Sequence, residues 1–137
     1  MVASGHAVGV PEPTDLITVP LTDDERYLLN RGLVEWGGPA RCTDAMARAM
    51  GFESVRDLFE QSDRIRGALD AGEPLSAWDW TRMLLATEIV FASDVMGSGG
   101  EWPTATGLDD VRSLALLRRV QRKLMPARVP VGSRSST

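Results

Sequence analysis

From Thr22 to about Leu124 the apolar residues recur at intervals of three and four, the period of a helix with one buried stripe. Thr22-Asp23-Asp24-Glu25 has the form of a capping box, so a first helix is expected from there to about Trp36, stopped by Gly37-Gly38-Pro39. Thr43 caps a short second helix, roughly Asp44 to Met50, closed by Gly51. Ser54 caps a third, in which Val55, Leu58, Phe59, Ile65 and Leu69 form the apolar stripe before Gly72 ends it. Ser76-Ala77-Trp78-Asp79 opens a fourth helix running to about Val95. A fifth opens at Thr106 or Leu108, carries Val111, Leu114, Leu117, Val120 and Leu124, and ends at Pro126.

The pattern therefore predicts an all-α, single-domain helical bundle of about five helices, spanning residues 22–125. Residues 1–21 and 126–137 read as tails, because Gly, Pro and small polar residues dominate them. Leu16-Ile17-Thr18-Val19 would make a short strand or lay apolar side chains on the body. No strand pair is expected within 22–125.

Composition changes this picture little: 43% apolar and 25% charged residues over 137 positions suit one ordinary folded domain. Charge changes it more. All 19 acids lie in residues 1–110 beside eight bases, a formal −11. Arg112, Arg118, Arg119, Arg122, Lys123, Arg128 and Arg134 follow with no acid among them, so an acidic body ends in a basic helix. The start of the chain lacks the pattern of a secretion signal, and no apolar run reaches the ~18–20 residues of a membrane span. A cytoplasmic location is the expectation.

The fourth helix is the most informative segment. At 100° per residue Asp79, Arg82 and Asp94 share one side, while Trp80, Leu84, Leu85, Phe91, Val95 and Met96 share the other. Met83, Ala86 and Val90 interrupt the polar side, which marks a central helix covered by the others. Glu88 sits amid the apolar side, where a carboxylate must be paired, hydrogen-bonded or protonated. It would be held by an arginine such as Arg112 or Arg118, or would lie in a ligand pocket with Trp80, Thr87 and Trp102.

Gly97 to Gly107 contains four glycines and reads as a loop, with a backbone nest for phosphate as the functional alternative. Trp102 would be a lid on the core or a binding anchor. The second and third helices resemble a helix-turn-helix in the spacing of Ala47 and Gly51 and the packing positions Met46, Met50 and Phe52. Glu53, Asp57, Glu60 and Asp63 on the would-be recognition helix repel phosphates, so DNA reading is disfavoured.

Hydrolytic and redox chemistry is poorly provided for. The single histidine, His6, lies in a tail, and Cys42 has no basic neighbour but Arg41. No metal-ligand spacing appears, so neither metal nor cofactor is expected. The leading expectation is a non-enzymatic acidic module that docks a basic protein through Asp23, Asp24, Asp57, Glu60 and Asp63. One version is an immunity- or antitoxin-type protein covering a cationic nuclease site. The alternatives are a small-molecule-binding regulatory domain around Glu88, and nucleic-acid association through Arg118, Arg119, Arg122 and Lys123. Four tryptophans in a small body also suit an aromatic interface.

Overall fold

The computed structural model describes residues 10–38 and 40–131; Pro39, His6 and Arg134 lie outside them. The fold is all-α. Six helices are described: α1 (Asp23–Val34), α2 (Asp44–Ala49), α3 (Val55–Asp70), α4 (Ala77–Ala92), α5 (Trp102–Thr106) and α6 (Asp110–Leu124). The expected capping chemistry starts the first four. Thr22 Oγ1 accepts from the Glu25 amide at 3.2 Å while Glu25 Oε1 accepts from the Thr22 amide at 2.8 Å. Thr43, Ser54 and Ser76 cap α2, α3 and α4 in the same way at 3.0–3.1 Å.

α1 and α4 pack side by side at the centre, with α3 against α1 on one flank and α6 against both on the other. The approach of α1 to α4 depends on Gly32: a Cβ there would fall 2.0 Å from Thr87 Oγ1, so only glycine lets the backbones come this close. The core contains Leu28, Leu29, Leu33, Trp36, Leu58, Ile65, Met83, Leu84, Val90, Leu116, Val120 and Leu124. α4 is buried almost all round through its first three turns, as a central helix must be.

Four features differ from the expectation. First, α4 ends at Ala92, where Ser93 turns to extended backbone, and Val95, placed on the apolar side, is 81% exposed. Second, the glycine loop contains α5, in which Pro103 occupies the first turn and Trp102 is fully buried. Third, Asp109 caps α6, its Oδ1 accepting from the Arg112 amide at 2.7 Å. Fourth, the chain is tied down outside residues 22–125. β1 (Leu16–Ile17) pairs antiparallel with β2 (Leu75–Ser76), in the register Leu16 to Ser76 and Ile17 to Leu75. Trp80 Nε1 donates to the Ile17 carbonyl at 2.8 Å. At the other end Val129 packs on Ala77 and Trp78, and its amide donates to Thr81 Oγ1 at 2.9 Å. Among the described residues no helix is long and apolar enough to cross a membrane.

Candidate functional site

A polar cleft of about 820 Å³ opens on one side of the molecule. Arg48 of α2, Gly51 and Phe52 of the α2–α3 turn, the inner side of α3 and the start of α4 line it, and Pro13 and Thr14 close one edge. Its floor is an ion network. Asp79, at the first turn of α4, receives both arms of the Arg64 fork from α3, each at 2.9 Å. Arg82, one turn further along α4, adds Nη2 at 2.9 Å and Nε at 3.2 Å to the same carboxylate. Gln61 Oε1 accepts from Arg64 Nε at 2.9 Å and from Arg82 Nη2 at 3.4 Å, joining the two guanidinium groups from above.

Arg82 is 7% exposed, so its planar group needs a partner on every side. The Gly51 carbonyl accepts from Nη1 at 3.1 Å, and the cation lies 4.5 Å from the Phe52 ring centroid and 5.8 Å from that of Trp78. Gly51 itself has φ +103°, and a Cβ there would stand 2.9 Å from the Trp78 ring. The turn between α2 and α3 is thus shaped to present a carbonyl to Arg82 and to admit the indole.

The titration behaviour follows. Burial pushes the Asp79 carboxyl upward, but the hydrogen bonds from Arg64 and the charges of Arg82 and Arg64 outweigh it and hold the group below its ordinary value. Hydrogen bonding to Asp79 raises Arg64. Burial lowers Arg82 despite the pairing with Asp79. With four N–H donors aimed at its two oxygens, three of them at Oδ1, Asp79 is held as an anion.

The residues singled out around Glu88 are not assembled into a pocket. Glu88 is half-buried and accepts from Gln121 Nε2 at 2.7 Å; its partner is that amide of α6, not Arg112 or Arg118. Arg118 reaches it only at one remove, through Gln121 Oε1 at 2.8 Å. Trp80, Thr87 and Trp102 are at most 2% exposed, and each spends its polar atom internally. Trp80 donates to Ile17, Thr87 Oγ1 to the Met83 carbonyl at 2.9 Å, and Trp102 Nε1 to Ser113 Oγ at 2.7 Å. All three are core side chains with satisfied polar tips. The glycine loop offers no empty nest either: Gly97 and Ser98 donate to backbone carbonyls, and the Gly100 amide at 3.0 Å to the Asp94 carboxylate.

The five acids of the expected patch do not stand free. Asp23 pairs with Arg26 and Asp24 with Arg112. Glu60 lies 3.5 Å from Arg56 and Asp63 3.9 Å from Arg66. Asp57 is half-buried and accepts from the Glu53 amide at 2.9 Å and from Gln61 at 3.4 Å. The surface there is mixed rather than acidic.

The basic end is partly spent in the same manner. Glu25, fully buried, accepts from Lys123 Nζ at 2.6 Å and from Arg119 Nε at 3.3 Å, which straps α6 to α1. Burial pushes Glu25 up, while the bonds from Lys123, the Thr22 amide and Arg119 win and hold it below its ordinary value. Arg118 and Arg122 remain outward on α6. Cys42 is raised by burial and by the charge of Asp44, which keeps it a thiol.

The Arg64–Asp79–Arg82 network is the feature that reading along the chain misses. Asp79 and Arg82 stand one turn apart on a largely apolar helix, and that was its visible signal; their meeting with Arg64 depends on how α3 packs. Comparison with family models, with curated proteins and with solved structures gave no match for this chain.

Proposed function

We propose that the chain is a binding module whose recognition site is the cleft between α2, α3, the start of α4 and the segment at Pro13–Thr14. The observation that carries the reading is the pre-formed guanidinium network on the floor of that cleft. A buried ion cluster adds little stability over well-packed apolar residues. Its value here is that donors already oriented by Asp79 and Gln61 face an accessible space of about 820 Å³. That volume falls within the roughly 300–1,000 Å³ typical of ligand sites. Ordering these side chains on binding therefore costs little.

The reading also favours binding over catalysis, since the one buried carboxylate of the site is saturated by arginine and held as an anion. It moves the small-molecule alternative away from Glu88. Docking of a basic partner on the acids of α1 and α3 would instead require the Asp23–Arg26 and Asp24–Arg112 pairs to open.

The test is a fragment screen on the full chain, read by backbone amide shifts. Perturbations gathering on Gly51, Phe52, Asp79 and Arg82 support the assignment. Perturbations confined to the outward face of α6, or none for any fragment, overturn it.

A further inference from the structure

We infer that the ligand of this cleft carries a carboxylate or phosphate group, gripped by Arg48 and Arg64; this rests on the cleft being the recognition site. Formal charge does not decide the matter, because Arg48, Arg64 and Arg82 are balanced along the lining by Glu53, Asp57 and Asp79. Hydrogen-bonding capacity does. Each guanidinium carries five N–H groups. Arg64 uses three of them, on Gln61 and both Asp79 oxygens. Arg82 uses four, on Asp79, Gly51 and Gln61. The Arg48 guanidinium has no hydrogen bond or ion pair among the described residues and is exposed at the cleft wall.

Among the acceptors, Asp79 already takes four guanidinium donors, Asp57 the Glu53 amide and Gln61, and Gln61 Oε1 two arginines. The cleft thus presents unused guanidinium N–H groups on Arg48 and Arg64, while Glu53 is the one lining carboxylate that accepts no hydrogen bond among the described residues. An oxyanion accepts at every lone pair and matches this surplus, and a planar fork suits it bidentately. An ammonium group would have only the exposed Glu53 as an unpaired carboxylate, away from the arginines that hold Asp79. Arg64, 51% exposed in its side chain, shows part of its fork to the cleft while its other edge stays pinned.

The experiment follows the Arg64 and Arg82 Nε–H resonances of the full chain. Inorganic phosphate and succinate are titrated separately at constant ionic strength, against wild type, Arg48→Ala and Arg122→Ala. The Arg48 side chain is exposed and makes no bond among the described residues, so its removal leaves folding intact. Saturable shifts at Arg64 are expected, with Kd raised roughly tenfold or more by Arg48→Ala, as for loss of a charge-assisted bond, and unchanged by Arg122→Ala. Saturation by phosphate alone, or by succinate alone, assigns the group to that anion. Shifts that grow without saturation, or that weaken equally in Arg122→Ala, indicate ionic atmosphere only and overturn the inference. Neutral fragments that shift Gly51 and Phe52 while neither anion binds leave the recognition site standing and remove the oxyanion. No binding of any kind removes both.

Discussion

Asp79 is the residue on which the cleft depends. It compensates Arg82, a cation that is 7% exposed, and fixes the fork of Arg64. Replacing it with Asn keeps the shape but leaves a buried guanidinium uncompensated. Asp79→Asn is expected to cost about 3 kcal/mol or more, seen as a lower urea midpoint; an unchanged midpoint would mean that Arg82 finds other compensation. Gly51 supports the same constellation through its backbone. With φ at +103° and the Trp78 ring 2.9 Å from any added Cβ, Gly51→Ala combines a left-handed strain with a clash. A loss of about 1–3 kcal/mol is expected, again by urea unfolding.

At the scale of elements, the strap of α6 to α1 ties stability to pH through Glu25. Glu25 and Asp79 both titrate below their ordinary values of 4.5 and 3.8 when folded. Their contribution is therefore fully present above those values and is lost as pH falls through the depressed folded values. Unfolding midpoints are expected to vary little through these two groups from pH 7 to 5, then fall below about pH 4.5. Glu25→Gln is expected to lower stability at pH 7 and to flatten part of that acid slope. A slope identical to wild type would show that Lys123 and Arg119 do not stabilise the carboxylate. The same strap explains why the basic end of α6 offers fewer cations than its sequence suggests: Arg119 and Lys123 already face Glu25, and Arg112 faces Asp24.

At the scale of the molecule, the tryptophans report how completely the fold closes. Trp36, Trp78, Trp80 and Trp102 are each 6% exposed or less, so these four indoles serve the interior. Native emission is expected to be blue-shifted and nearly insensitive to iodide, moving red on unfolding. Strong quenching in the native state would place at least one indole at the surface. Cores of this kind draw on both chain ends, since Ile17 and Val129 pack beside Trp78 and Ala77.

Helix placement was legible in the chain because it rests on local rules. Thr22, Thr43, Ser54 and Ser76 cap through atoms three residues away, and the stripe of α3 follows from its period. The burial of α4 was legible as well, since a helix apolar on nearly every side has no other stable place. The strand pair of Leu16–Ile17 with Leu75–Ser76 was not, because two residues carry no periodicity and their pairing is long-range. Nor were the partners of the charges. Glu88 meets Gln121, Glu25 meets Lys123 and Asp79 meets Arg64 only because helices distant in sequence pack at particular rotations. Local chemistry determined which segments become helices and which faces they bury. Packing decided which ionic groups neutralise one another and which donors are left over, and those leftover donors define the cleft.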